Sequence, residues 1–162
     1  MGSRPDTIAI VAAGPSHAAA IDLLLRQLAT SEGTLADLTY ELPELNDALS
    51  RGQIHALIAV SGKAVLGCLT YTWDFALWSG GRVMRIDDLI VDERWRDQGI
   101  GTRLMAAAAE QAVTMGATAR WEVEAENAQA EQFYRRQGVV LKNKVVARWS
   151  IESMREVLRR NG

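Results

Sequence analysis

The stretch Val91-Asp-Glu-Arg-Trp-Arg96-Asp97-Gln98-Gly99-Ile100-Gly101-Thr102-Arg-Leu104 carries the clearest chemistry in the sequence. An apolar run, Ile86 to Val91, stops at a charged turn, and two glycines then open an alanine-rich segment. The first N–H groups of a helix have no partner inside it and lie at the positive end of its dipole. Glycine there lets an anion reach the backbone, so the pattern implies a phosphorylated cofactor. A dinucleotide fingerprint does not fit, because the third glycine and the acidic end of a following strand are missing. A Walker A loop does not fit either, since no Gly-Lys-Ser/Thr stands at the helix start. The ordinary structural alternative is a tight turn at Gly99.

A second group lies about 30 residues on: Asn127-Ala-Gln-Ala130-Glu-Gln-Phe133-Tyr134-Arg-Arg-Gln-Gly138. On a helix, Ala130, Phe133 and Tyr134 share one face. Tyr134 reads either as a core aromatic or as a hydroxyl that donates a proton beside a groove. A third group is Asp87-Asp88, two acids inside an apolar run. Strand alternation predicts that they point to opposite faces, so only one faces any one groove. Their ordinary role would be to solvate a strand end or hold a cation. Between Arg26 and Arg51 there is no Lys or Arg, while Glu32, Asp37, Glu41, Glu44 and Asp47 lie inside. Such a rim attracts cationic ligands, or is simply a solvated acidic face.

These groups must be held by a scaffold. Ile8–Ala12 reads as a strand. A helix follows from Gly14-Pro15-Ser16 to about Ala29, with Ile21, Leu24, Leu25 and Leu28 on one face. A second helix begins near Pro43. His55–Val60, Val65–Trp73 and Val83–Val91 form a three-strand meander with turns at Ser61-Gly62-Lys63 and Trp78-Ser-Gly-Gly-Arg82. A helix spans Gly99–Met115 and stops at Gly116. Arg120–Glu124 is a short strand, and Asn127 caps a helix to about Gln137. Val139–Leu141 and Lys144–Ser150 are β-like, and Ser153–Glu156 shows a capping box for a terminal helix. The order implies a mixed α/β sheet with helices on both faces rather than a regular βαβ repeat.

At 162 residues, 48% hydrophobic and 23% charged, the chain reads as a single domain, 1–162. A net charge of -2 and a pI near 5.7 argue against nucleic acid as a partner. The single cysteine, Cys68, excludes an internal disulfide and a cysteine zinc cluster and reads as a buried, inert thiol. His17 and His55 lack ligand spacing, so no metal is expected. No apolar run reaches the roughly 20 residues of a membrane span, so no membrane is expected. Met1–Asp6 do not resemble a signal peptide, so the expected location is cytoplasmic.

Taken together, Arg96-x-x-Gly99-x-Gly101 after a strand, then Asn127 and Phe133-Tyr134 before Gly138, resembles the GNAT superfamily of acetyl-CoA-dependent N-acetyltransferases. The likeness runs over nearly the whole chain. It implies a mostly antiparallel sheet with a splayed parallel strand pair, and acetyl-CoA as cosubstrate. The resemblance assigns pyrophosphate to Arg96, Asp97, Gln98, Gly99, Ile100, Gly101 and Thr102. It assigns pantetheine to Leu89, Ile90 and Val91 and to Asn127 and Tyr134. It makes Tyr134 the general acid toward coenzyme A sulfur and Asp87 the base, directly or through water. Trp78-Ser-Gly-Gly-Arg82 before Ile86-Asp87-Asp88-Leu89-Ile90-Val91 is similar to the spermidine/spermine and thialysine branch. That branch implies a small cationic amine as acceptor and a homodimer. Departures from it are Asp87 in place of Glu, Ala125-Glu126-Asn127 in place of Asp-Trp-Asn, Asp97 in place of Gly, and Val139 in place of Phe. Trp73 and Trp78 are candidates to wall the acceptor groove. A protein N-terminus or lysine as acceptor, and a non-catalytic acyl-CoA sensor, are the competing readings.

Overall fold

The computed structural model describes residues 7–161; Met1–Asp6 and Gly162 lie outside them. The chain divides into two units, Met1–Glu122 and Val123–Gly162.

The first unit is built on one sheet, ordered β1 (Ala9–Ala12), β2 (His55–Ser61), β3 (Ala64–Phe75), β4 (Arg82–Val91) and β5 (Thr118–Arg120). The first three pairings are antiparallel, and β4 pairs with β5 in parallel. Helix α1 (Ala18–Glu32) buries Ile21, Leu24, Leu25 and Ala29 at the helical spacing read from the sequence. They pack with Leu45 of α2 (Leu42–Ser50) and with Ala56, Ile58, Cys68 and Ile90 on one sheet face. Helix α3 (Ile100–Thr114) covers the opposite face through Ile100, Leu104, Met105, Ala108 and Ala112. Tyr71 donates its hydroxyl hydrogen bond to Gln111 of α3 on that side.

Gly67 on β3 fixes how closely the end of β4 approaches. A Cβ there would come 2.7 Å from the Ile90 carbonyl oxygen and 3.3 Å from Val91 Cα. Both are backbone atoms and cannot rotate away. Gly67→Ala is therefore expected to destabilise the chain by about 1–3 kcal/mol, seen as a lower urea midpoint at unchanged slope. An unchanged midpoint would show that the end of β4 is not pinned at this point.

The second unit contains α4 (Ala128–Arg136) and α5 (Ile151–Asn161). The strands expected at Val139–Leu141 and Lys144–Ser150 do not form. Branched side chains favour a pleat only where a neighbouring strand completes the ladder, and Val140, Val145 and Val146 are exposed. Helix α5 is longer than the capping box suggested. Its cap is Ser150, whose Oγ accepts from the Ser153 N–H at 3.1 Å, so Ser153 lies inside the first turn. Strand β5 also starts earlier than expected, because its partners are Val83 to Arg85 in the first half of β4.

Candidate functional site

Strand β4 is the axis of the site. Its parallel pairing with β5 ends at Arg85 opposite Arg120, and Ile86–Val91 run on without a β5 partner. That is the splay expected from the sequence. The Asp92 N–H donates to the Leu66 carbonyl of β3 at 2.9 Å. Residues of an antiparallel pair alternate in the side to which their backbone groups turn. With Cys68 opposite Ile90 and Thr70 opposite Asp88, Ile90 and Asp88 turn toward β3. The backbone groups of Leu89 and Val91 then turn to the open edge.

Sequence alternation fails at the two acids, for a specific reason. Thr70 lies opposite Asp88 but Tyr71 lies opposite Ile86, which makes Asp87 the extra residue of a β-bulge. Thr70 and Thr72 share a face on β3, so their partners Asp88 and Arg85 share it too. Asp87 stays with Arg85, its Oδ1 lying 3.5 Å from Arg85 Nε. Both acids therefore face the α1 side, and the expectation of opposite faces is corrected. Asp88, passed over on the alternation rule, shares that face with Asp87. Two consecutive acids inside an apolar strand were the available signal; the bulge itself left none.

The environments of the two acids differ. The Asp88 carboxylate accepts from the Thr70 hydroxyl at 3.2 Å, and no ion pair among the described residues involves it. Burial pushes its carboxyl above the ordinary range, the Thr70 bond opposes this, and Glu32 at the end of α1 adds to it. Burial also raises the Asp87 carboxyl; Arg85 opposes, and the charges of Asp88 and Asp74 reinforce. Arg85 sits 3.7 Å from Asp74 as well, and Arg120 lies 3.4 Å from the same carboxylate. Beside them the Tyr40 hydroxyl donates to Asp22 at 2.8 Å, and Arg26 binds that carboxylate with Nε. This ties the segment before α2 to α1. Of the acidic run, Asp47 pairs with Arg51, and Glu44 accepts from the Glu41 N–H. Those acids serve α2 itself, while Glu32 acts on Asp88.

The turn after β4 is held from below. Asp92, 6% exposed, accepts from the Arg94 backbone N–H and from Nε and an Nη of its guanidinium, at 2.7 to 3.0 Å. Those bonds keep its carboxyl below the ordinary range. Arg96 Nε donates to the Val91 carbonyl at 3.2 Å. Asp97 has φ +61, the one non-glycine with positive φ among the described residues. It occupies a left-handed position that an L-residue other than Gly, Asn or Asp rarely takes. Gln98 is exposed. Gly99 caps α3 with φ +75, and the first intrahelical bond runs from the Arg103 N–H to the Gly99 carbonyl. Ile100, 1% exposed, anchors the helix start against Gly67. A Cβ added at Gly99 meets nothing within 4 Å, so the space over the turn is open to a ligand. A helix start with an adjacent guanidinium and an uncluttered glycine is the donor set a pyrophosphate requires.

In the second unit, Asn127 Oδ1 accepts from the Ala130 N–H at 3.0 Å and caps α4. Tyr134 is half-buried, edge-on to Phe133 at 5.2 Å. Asp87, Leu89–Val91 and Arg96–Thr102 thus belong to the first unit, and Asn127 and Tyr134 to the second.

The tryptophan expectation changes. Trp73 stands edge-on to Tyr71, whose hydroxyl reaches α3, so it lies on the face away from Asp87 and Asp88. Trp78 is fully exposed at the β3–β4 turn. Cys68 is buried, and burial and the Asp88 charge push its thiol up to about 12, which makes it an inert core residue. Among the described residues, no group of three or more His, Cys, Asp or Glu is placed to hold a metal ion, and no helix is long and apolar enough to cross a membrane.

A strand that splays from its parallel partner and runs into a glycine-opened helix places the molecule in a class, and comparison agrees. The sequence matches the acetyltransferase (GNAT) family over residues 23–139, and the chain belongs to that family. It is accordingly an acetyl-CoA-dependent N-acetyltransferase, with an amine as acceptor. No curated protein matches the sequence. The fold resembles that of an aminoglycoside acetyltransferase from an uncultured soil metagenomic sample, at 20% identity and TM-score 0.75, over 88% of this chain and 95% of the other. An integron cassette protein from the mobile metagenome of V. cholerae is 24% identical at TM-score 0.74, over 94% and 98%. A ribosomal-protein-alanine N-acetyltransferase from Brucella melitensis biovar Abortus 2308 is 16% identical at TM-score 0.72, over 89% and 100%.

Proposed function

We propose that residues 1–162 work as one acyl-CoA N-acyltransferase domain. It moves an acetyl group from acetyl-CoA to a primary amine of a small cationic acceptor, polyamine or diamino-acid-like, by direct transfer in a ternary complex. The observation that carries the acceptor class is the bulge that turns Asp87 and Asp88 to one face, with the Glu32 charge acting on Asp88 and no ion pair to Asp88 among the described residues.

An alkylammonium with pKa about 10.4 is almost wholly protonated at neutral pH and must lose a proton before it attacks the thioester. Asp88, half-buried and without an ion pair among the described residues, receives the acceptor's ammonium charge. Asp87, more open, takes the proton through a water, since an Asp side chain is short. The raised carboxyl of each makes it a better proton acceptor than a free Asp. Leu89, Ile90 and Val91 present the strand edge to the pantetheine amides, like one more strand. Arg96, Asp97, Gln98, Gly99, Ile100, Gly101 and Thr102 form the pyrophosphate turn, with the Asp97 carboxylate directed away from the anion. Asn127 contacts pantetheine, and Tyr134 protonates the departing thiolate. Tyr134→Phe is expected to lower kcat about 100-fold or more with acetyl-CoA affinity within twofold; an unchanged kcat would remove Tyr134 from the chemistry.

Within the family, the Trp78-Ser-Gly-Gly-Arg82 turn leading into Ile86–Val91 supports the spermidine/spermine (thialysine) branch. By the same analogy the chain is a homodimer, and the cytoplasm is its default location; a monomer mass in sedimentation would remove the dimer, and recovery of the chain outside the cytoplasmic fraction would remove the location. A metagenomic aminoglycoside acetyltransferase of this fold has been crystallised with sisomicin, itself a polyamine, so aminoglycosides belong in the acceptor panel. The test is thiol release from acetyl-CoA against polyamines, diamino acids, aminoglycosides and peptides. Small polycations are expected to give the highest kcat/KM. Preference for peptide N-termini or lysines would overturn the acceptor class, and binding without turnover on any acceptor would point to a sensor.

A further inference from the structure

We infer that Asp74 is a positioning residue for proton removal from the acceptor: by sharing the Arg85 guanidinium with Asp87, it stops that guanidinium from neutralising Asp87. The inference rests on the reading of Asp87 as the proton acceptor.

Arg85 is the last residue of β4 that pairs with β5, and its register partner there is Arg120. Two like charges therefore stand side by side where the strands begin to part, and like charges on neighbouring strands repel. The Asp74 carboxylate of β3 serves both. Its Oδ2 lies 3.7 Å from Arg85 Nη1 and 3.4 Å from Arg120 Nη2. Arg85 meets a second acid through a different nitrogen, with Nε 3.5 Å from Asp87 Oδ1. Among the described residues it is the one cation within ion-pair distance of Asp87. One guanidinium is thus divided between two acids, and neither contact is closer than 3.5 Å.

The division has a direction. Without Asp74, Arg85 has a single acid left and the Arg120 charge beside it uncompensated, and both effects press it onto Asp87. A carboxylate closed by a guanidinium is a poor proton acceptor. Without Arg120 the reverse holds: Asp74 has Arg85 alone and draws it off Asp87. The other charges near Asp87 take no part in this exchange. Asp88 on the same strand reinforces the Asp74 charge on Asp87, the Glu32 charge of α1 acts on Asp88, and the Asp88 charge reaches the Tyr40 hydroxyl ahead of α2. Arg85 is the one charge that opposes them at Asp87, so its place decides how readily Asp87 accepts a proton.

The test is the pH at which kcat/KM for spermidine falls on the acid side, at saturating acetyl-CoA. It is measured for the full chain and for its Asp74→Asn, Arg120→Gln, Arg85→Gln, Asp87→Asn and combined Asp74→Asn/Arg85→Gln forms. Asp74→Asn is expected to move this limb down by about half a pH unit, and Arg120→Gln and Arg85→Gln to move it up by a similar amount, the size a partly exposed ion pair allows. Charges acting on Asp87 only from a distance would give the same signs, so the combined variant is decisive. With Arg85 gone, Asp74→Asn is expected to shift the limb by less than half of its effect in the parent chain. An equal shift in both backgrounds, or none in Asp74→Asn, overturns the inference and leaves Asp87 as the base. A limb that survives unshifted in Asp87→Asn overturns Asp87 as the proton acceptor and the inference with it.

Discussion

Gly99→Val is expected to abolish measurable acetyl-CoA binding, a loss of at least 100-fold, while the chain stays folded. Gly99 holds φ +75 at the N-cap of α3, a conformation that a β-branched residue adopts only at a cost of about 1–2 kcal/mol. A Cβ at that point meets no protein atom within 4 Å, so the fold suffers backbone strain but no clash. In the proposed site the added methyl groups stand where the pyrophosphate would approach the first N–H groups of α3. Each charge-assisted hydrogen bond lost there is worth about 1.5–3 kcal/mol, and two suffice for the stated loss. Calorimetry gives the affinity and urea unfolding the stability. Normal affinity in a folded Gly99→Val chain would remove the pyrophosphate from this turn.

The second large effect concerns the acid pair. Asp87→Asn is expected to lower kcat about 100-fold or more by removing the proton acceptor. Asp88→Asn is expected chiefly to raise KM for the amine, because an uncompensated cation site is lost. In the parent chain kcat/KM falls at low pH as these carboxyls take up protons. Since both titrate above the ordinary carboxylate range, that limb lies higher in pH than for a free Asp. In Asp87→Asn the limb should flatten and the rate should follow the fraction of free amine.

Stability moves the other way. A carboxyl whose folded pKa lies above its unfolded one contributes stability below the unfolded pKa, and this is lost as pH rises through the folded value. Once the pH is above the folded value, the ionised acids are held at the expense of the fold. Asn at either position is thus expected to leave stability at pH 7 equal or higher. A variant that lost turnover only because it unfolded would contradict the assignment.

The turn between β4 and α3 was legible because its determinants are local. An apolar run, a charged turn and a glycine at a helix start are contiguous, and Gly99, Ile100 and Arg96 fall where that pattern puts them. The helices were legible for the same reason, since Ile21, Leu24 and Leu25 repeat at helical spacing within one segment. What stayed hidden depends on partners distant in sequence. The bulge at Asp87 exists only relative to Thr70 and Tyr71 on β3, so alternation sent Asp88 to the wrong face. The unformed strands at Val139–Leu141 and Lys144–Ser150 failed likewise, because β propensity says nothing about whether a neighbour is there to pair. Asp74 and Arg85, which meet across the β3–β4 hairpin, gave no sign in either segment alone. Asp92 is different: its partner Arg94 is two residues away, and an acid at the start of a charged turn was a cap signal available in the sequence.

The central claim is direct acetyl transfer from coenzyme A to a small polycation. Its most direct measurement is the initial rate of thiol release with acetyl-CoA and spermidine both varied. The expected result is thiol release that depends on the amine, with reciprocal plots that intersect, and N-acetylspermidine as the product by mass. Acetyl-CoA binding with no amine-dependent thiol release, for spermidine and for every other small polycation tried, would contradict it.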